Sequence, residues 1–233
     1  MSVSPKILAI DCATTGCSAG LWCAGKMVAN QTMEMQRGQA EVLVPMMQRV
    51  LRDANVEAKD LTAIAVTNGP GAFTGLRIGL AAARGLALAL DINCIGVTTL
   101  VAVVQAVPAK ERAGNVILAA IESKRADIFV QVFDGDLKPL CEPQATGTEA
   151  LVQLCAPYDN VVAVGDAVDR AQDMLSGSTT KVIPSAAPNL PLPEHIAALA
   201  ALRLGNENNQ APEPLYLRPP DAKLPKAQGR ARA

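Results

Sequence analysis

Histidine is almost missing from this chain of 233 residues and aromatic side chains are scarce, with one His, three Phe, two Tyr and one Trp. A lone His195 leaves little room for hydrolases or metalloenzymes that depend on imidazoles. Its place after Pro191-Leu192-Pro193-Glu194, at the start of an expected helix, suits a surface or capping role. An aromatic share of 3 % is low for a surface that stacks bases, and a net charge of −1 gives no overall attraction for a phosphate backbone. This chain alone is therefore not expected to hold nucleic acid. The six cysteines, at 12, 17, 23, 94, 141 and 155, include no C-x-x-C pair and no neighbouring His, so reduced thiols are expected and a zinc site is not. A basic segment followed by an apolar one is missing from Met1-Ser2-Val3-Ser4-Pro5-Lys6, so export is not expected and a cytoplasmic location is. The most apolar stretch, residues 75–90, falls short of the ~20 residues of a bilayer span and is interrupted by Arg84, so no membrane association is expected.

What is present is a hydrophobic half, enough for one large α/β domain or two small ones. Residues 6–11 alternate into a strand, 12–17 make a hydroxyl-rich turn, 18–23 return, and 27–33 form a third strand. Residues 39–54 have helix spacing, with Val42, Met46, Val50 and Leu51 on one face. Strand 61–67 then leads through Gly69-Pro70-Gly71 into a helix at 75–90, followed by a strand at 91–97 and a helix at 98–107 stopped by Pro108. The glycines supply unusual φ around the fixed φ of Pro70, leaving backbone N–H groups at a helix start for which Thr74 is the expected N-cap. That helix is apolar nearly all round. Its only charges, Arg77 and Arg84, lie seven apart on one face, so it should be covered on more than one side. Gly75, Gly79 and Ala83 fall at four-residue spacing, along which another helix could approach; a core helix of a single domain fits the same pattern.

The second half starts the same way. Residues 116–122 can be laid on 6–11, residues 127–133 return, Asp134-Gly135-Asp136 turns and 137–142 make a third strand. A helix at 148–156, a strand at 161–165, a helix at 167–175 and a strand at 181–184 follow, each shorter than its counterpart. A helix at 194–204 is expected to pack on this second unit. The expected domains are 1–108, a reduced 109–206, and a Pro-rich tail at 207–233, partly disordered, carrying Lys223, Lys226, Arg230 and Arg232. The fold class is α/β, two tandem βββαβα units in the manner of the actin, Hsp70 and sugar-kinase (ASKHA) architecture, where a nucleotide lies between domains. Duplication alone does not make a nucleotide site.

Ile7-Leu8-Ala9-Ile10-Asp11-Cys12-Ala13-Thr14-Thr15, the block from Val66 through Gly69, Pro70, Gly71, Ala72, Phe73, Thr74 and Gly75 to Gly79, and Pro214-Leu215-Tyr216-Leu217-Arg218 together resemble the bacterial TsaB (YeaZ) family. The central block is the specific one, matching a G-P-G-S-F-T-G-L-R-I-G signature with Ala72 in place of Ser. The resemblance implies a non-catalytic subunit of the machinery that makes N6-threonylcarbamoyladenosine (t6A) at position 37 of tRNA. It would pair with a metal-bearing catalytic paralogue, TsaD, beside a TsaE ATPase, meet tRNA only within that complex, and form a homodimer when alone. The family's dimerisation helices match 39–54 and 75–90, which puts Val42, Met46, Val50, Gly75, Arg77, Gly79, Ala83 and Arg84 at the partner interface. Where the metal-binding paralogue carries an H-x-x-x-H pair, this chain has Thr98-Thr99-Leu100-Val101-Ala102-Val103, so metal and peptidase chemistry are not expected. Gln39-Ala40-Glu41 and Glu122 depart from residues common in relatives, which argues against essential acid–base roles there.

Asp11, Thr14, Thr15 and Ser18 remain open to two readings. They could face a phosphate, with Asp11 holding Mg²⁺ through water, or simply satisfy the hairpin turn. Ala13 stands where a glycine would admit a phosphate and no lysine follows, which favours the turn; no tightly bound cofactor is expected, and ATP or ADP with Mg²⁺ only at a site shared with partners. Val164-Gly165-Asp166 is the second-domain candidate, with an ordinary turn as its simpler reading. The competing function is a free-standing small-molecule kinase using Asp11 or Glu122. A peptidase would need a nucleophile or metal site, and the sequence offers neither. The basic tail could follow tRNA phosphates, with a solubilising tail the simpler reading.

Overall fold

The structure, a computed structural model, describes residues 4–205 and 211–218. Strands β1 (Lys6–Asp11), β2 (Gly16–Cys23) and β3 (Lys26–Glu34) form an antiparallel meander, and β4 (Ala63–Gly69) and β5 (Asn93–Thr98) extend it in parallel in the order β3-β2-β1-β4-β5. Helix α1 (Gln39–Asp53) links β3 to β4, and α2 (Phe73–Leu90) links β4 to β5. After α3 (Thr99–Val104) and the short α4 (Ala109–Arg112), the plan repeats with β6 (Val116–Glu122), β7 (Ile128–Phe133), β8 (Gln144–Thr146), α5 (Thr148–Cys155), β9 (Asn160–Val164), α6 (Val168–Leu175) and β10 (Lys181–Pro184). The second sheet is ordered β8-β7-β6-β9-β10, the same order element for element. The duplication read from the sequence is thus a duplication of topology, the ASKHA architecture. The second copy is smaller, its helices α5 and α6 having 8 residues each against 15 and 18 for α1 and α2.

Alternation along the central strands sets the layers. Leu8 and Ile10 of β1 face Leu43, Met46, Val50, Leu80 and Ala83 of α1 and α2, whereas Ile7 and Ala9 face the opposite way. In β6, Leu118 and Ala120 meet α5 and α6, and Ile117, Ala119 and Ile121 meet Leu100, Val103 and Val104 of α3. Helix α3 therefore lies between the sheets, with Ala102 turned toward the first and Leu100 toward the second. Each fully buried Leu or Ile here is worth about 1.5–3 kcal/mol.

Four expectations need correction. Residues 137–142 are not a strand: Asp134 Oδ1 accepts the N–H groups of Asp136 and Lys138 at 2.9 and 2.8 Å, folding that stretch into a turn, and the third strand of the repeat is β8. Helix α7 (Pro193–Ala201) covers the first sheet and not the second, because Ile196, Ala197 and Ala200 fill the face made by Ile7, Ala9, Ala63 and Ala65. Helix α2 begins at Phe73, with Ala72 in the cap position and no side-chain cap, so Thr74 lies inside the first turn. Residues 211–218, assigned to the tail, form an ordered strap; Lys223, Lys226, Arg230 and Arg232 lie outside the described residues. At 18 residues α2 is long and apolar enough to cross a membrane, and it is packed over β4 as a helix of the first core.

Candidate functional site

The signature turn is built by close backbone approach. Gly69 has φ 113°, in the left-handed region that favours glycine, and the Gly69–Pro70 peptide is cis. The N–H of Ala72 donates to the carbonyl of Ala13 at 2.7 Å. A methyl group at Gly71 would run into that same carbonyl, and one at Gly75 into the carbonyl of Cys12. The start of α2 is thus laid directly on the turn that follows β1. The second repeat does likewise, the N–H of Ala167 donating to the carbonyl of Ala120 at 3.2 Å.

This corrects the expected interface strip. Gly75, Gly79 and Ala83 face the protein's own β1 and β4, a Cβ at Gly79 lying 3.6 Å from the side chains of Cys12 and Val66, and Ala83 is wholly buried. Met46 and Val50 are likewise buried in the first core, and Val42 is half-buried against it. The side chains that these helices turn outward are others. On α2 they include Ala81, Gly85 and Leu88, the last 85 % exposed, and on α1 Val44 and Pro45, with Val44 49 % exposed. Helix α2 carries no charge between Arg77 and Asp91 apart from Arg84, which turns toward the strap, whereas α1 also exposes the polar Glu41, Gln48, Arg49, Arg52 and Asp53.

The strap crosses the signature turn. The N–H of Leu215 donates to the carbonyl of Asn68 at 2.7 Å, Asn68 Nδ2 returns a bond to the carbonyl of Glu213 at 3.0 Å, and both Nε and Nη2 of Arg84 donate to the carbonyl of Pro212. Arg77 lies over the Phe73 ring, 3.4 Å from its centroid, and its Nε donates to the hydroxyl of Tyr216 at 3.2 Å. Phe73 is 51 % exposed and Thr74 is exposed beside it. Further on, Leu217 packs on the second core, and Arg218 pairs with Asp127 and lies over the Phe129 ring. Eight residues thereby tie one domain to the other.

Beneath the strap, Asp11 is buried and turned inward. Its Oδ1 accepts the N–H of Ala13 at 3.0 Å and the hydroxyl of Thr67 at 2.5 Å, and its Oδ2 accepts the hydroxyl of Thr14 at 3.1 Å. Burial pushes its pKa up to about 6 against the pull of these donors, and the charge of Asp166 adds to the rise. Thr14 is buried with it, and Thr15 turns to the other domain, its N–H donating to Asp166 Oδ2 at 3.0 Å. Ser18 is buried in β2. Alongside, Cys12 and Cys17 place their sulfurs 3.5 Å apart, and that hydrogen bond, then burial, hold the Cys12 thiol well above the usual range.

Asp166 also accepts the N–H of Glu122, through Oδ1 at 2.8 Å; burial raises its pKa, and the Glu122 charge contributes. Glu122 pairs with Arg170 of α6, which also donates to the carbonyls of Arg125 and Ala126 and so braces the β6–β7 turn. Arg170 was invisible to sequence reasoning, and the strap was seen only as the family block Pro214-Leu215-Tyr216-Leu217-Arg218, with no structural role attached. An arginine on an amphipathic helix has no distinguishing spacing, and a proline-rich octapeptide has no periodicity. His195 sits in the first turn of α7, and burial lowers its pKa. Among the described residues no three His, Cys, Asp or Glu side chains gather where they could hold a metal ion.

Between the two hairpin turns stands the carboxylate of Asp166, beside an Asp11 that accepts three internal donors, and the Ala13 carbonyl meets the start of α2.

Residues 26–223 match the family described as TsaD, tRNA N6-adenosine threonylcarbamoyltransferase. The tRNA threonylcarbamoyladenosine biosynthesis protein TsaB of Escherichia coli K12 is 37 % identical over 131 residues, 56 % of each chain, so the match spans about half the length of that relative. An uncharacterized protein of Mycobacterium tuberculosis H37Rv is 30 % identical over 93 % of both chains. The solved structure of YeaZ from Pseudomonas aeruginosa aligns with a TM-score of 0.76 at 26 % identity, covering 91 % of this chain and all of that one. With its signature turn, its duplicated topology and these relatives, the chain belongs to the TsaB (YeaZ) branch of the threonylcarbamoyltransferase family.

Proposed function

We propose that this protein is a non-catalytic subunit of the complex that transfers a threonylcarbamoyl group to adenosine 37 of tRNA, acting by pairing with a TsaD-like catalytic paralogue. The observation that carries the reading is the run of small and apolar residues exposed along α2, Ala81, Gly85, Leu88 and Ala89, flanked on α1 by exposed Val44 and Pro45 with Glu41, Gln48 and Arg49 as a polar border. An exposed apolar helix face of this kind is what a partner helix covers. The paralogue would supply the chemistry, and this chain a rigid wall beside it. A homodimer through the same face is the form taken when the paralogue is absent. ATP or ADP with Mg²⁺, a TsaE-like ATPase and tRNA would all meet this chain only at surfaces shared within the complex. The burial of Asp11 and its engagement by Ala13, Thr14 and Thr67 speak against the alternative of a free-standing kinase, since this carboxylate is turned inward and not toward a substrate.

The test is reconstitution of tRNA modification from the paralogue, a synthase and the ATPase, with and without this chain, beside light scattering of the chain mixed with the paralogue. Activity that requires the chain, and a defined complex of the two, are expected. A chain that forms no complex and hydrolyses ATP by itself would refute the reading.

A further inference from the structure

The two hairpin turns that face each other across the domain boundary, after β1 and after β6, each point a backbone N–H at one side chain. Thr15 donates to Asp166 Oδ2 at 3.0 Å and Glu122 to Oδ1 at 2.8 Å. Backbone N–H groups converging from turns are how proteins hold phosphate and other oxyanions. Here the oxyanion belongs to the chain itself, and its two donors come from different repeats, 107 positions apart in sequence. The Gly165 backbone that presents it, at φ 119°, is pressed so closely on β6 that a methyl there would meet the Ala120 carbonyl, so Asp166 has little freedom to withdraw. Arg170 holds the Glu122 turn from behind. The neighbouring Asp11 and Glu122 carboxylates make the place still less hospitable to a second anion.

We propose that Asp166 is a built-in anion that occupies the oxyanion position between the two turns, latching the domains and shutting phosphates out of the cleft. Without its charge, the amides of Thr15 and Glu122 form a site for a small oxyanion such as inorganic phosphate. This goes beyond the partner reading and stands whether or not the paralogue binds.

Asp166→Ala and Asp166→Asn test it in the full chain. The readouts are amide hydrogen exchange at Thr15 and Glu122, with the Ile64 amide of the first core as the check on global folding, and the thermal midpoint as inorganic phosphate replaces chloride at constant ionic strength. In Asp166→Ala both amides are expected to exchange at least roughly tenfold faster, the size of one net hydrogen bond, while Ile64 stays protected. Phosphate should slow that exchange and raise the variant's midpoint, and leave the wild type unmoved. Asp166→Asn keeps the shape and one acceptor oxygen, so it should show the same loss to a smaller degree; if the alanine variant fails to fold, the asparagine variant carries the test. A Thr15 amide still protected in the variants overturns the latch. Freed amides that phosphate does not protect overturn the oxyanion site, as does a wild-type midpoint that responds to phosphate equally.

Discussion

Alanine placed at Gly75, Gly79 and Gly85 in turn makes the same chemical change at three points of one helix, and the structure assigns different outcomes. A glycine in a helix interior costs about 1 kcal/mol relative to alanine, so the baseline effect of each change is stabilising. At Gly85 no atom lies within 4 Å of the added methyl, and the full gain of about 0.5–1 kcal/mol is expected, a midpoint rise of about 1–4 °C for a chain of this size. At Gly79 the methyl makes ordinary contacts at 3.6 Å with Cys12 and Val66, so the effect should lie between neutral and the same gain. At Gly75 the methyl runs into the Cys12 carbonyl, which is backbone and cannot swing aside, so α2 must lift off β1. Overpacking of that sort costs about 1–3 kcal/mol or more, leaving a net loss of about 2 kcal/mol at the severe end, or about 4–8 °C. Urea unfolding followed by circular dichroism, with slopes unchanged among the three, measures the series. A Gly75→Ala protein as stable as Gly85→Ala would refute the reasoning, because it would mean that the small-residue strip does not face β1.

Other outcomes follow from the same contacts. Between pH 4 and 6 the folded chain holds a proton on Asp11 that the unfolded chain, with an ordinary carboxyl near 3.8, has released. The stability this group contributes is full below about pH 4 and is lost as pH rises through about 6, a loss on the order of 1 kcal/mol between pH 5 and 7. The stability difference between wild type and Asp11→Asn should therefore shift in the wild type's disfavour by that amount over the interval, and a flat or opposite trend in paired urea titrations would contradict the burial argument. Arg84→Ala removes both guanidinium bonds to Pro212 and should speed exchange of the Leu215 amide and proteolysis within 211–218, while changing global stability by no more than about 1 kcal/mol; an unaltered strap would show that its contacts with Asn68, Arg77 and the second domain hold it without Arg84.

Much of the fold was legible because the chain repeats itself. Strands β1 and β6 have buried positions on both faces and read as apolar runs, and the periodicity of α1 and α2 marked their inward sides. Helix spacing, however, says which residues share a face and not what covers it. Met46, Val50 and the Gly75–Gly79–Ala83 strip were assigned to a partner when the protein's own first sheet was the neighbour. Helix α7 was misplaced for a related reason, since a short Ala-rich face fits either sheet and only the empty side of β1 decides. Asp11, Thr14 and Thr15 lie at one turn, where Asp11 accepts Ala13 and Thr14 locally but also Thr67 of β4, and the Thr15 amide leaves the turn for Asp166. Asp166 was noticed as part of the second-domain candidate Val164-Gly165-Asp166, with an ordinary turn as the simpler reading, and not as a contact to the first domain. Its importance depends on Thr15, 151 positions away, and no local pattern carries such a contact.

The measurement that tests the central claim most directly is a single charge on the outer helix face. Leu88 is 85 % exposed, so Leu88→Arg should leave the unfolding midpoint of the isolated chain within about 0.5 kcal/mol of wild type. Mixed with the TsaD-like paralogue and assayed for complex formation and tRNA modification, this variant is expected to lose both, where the wild-type chain supports both. A folded Leu88→Arg protein that binds the paralogue and sustains modification as well as the wild type would contradict the account.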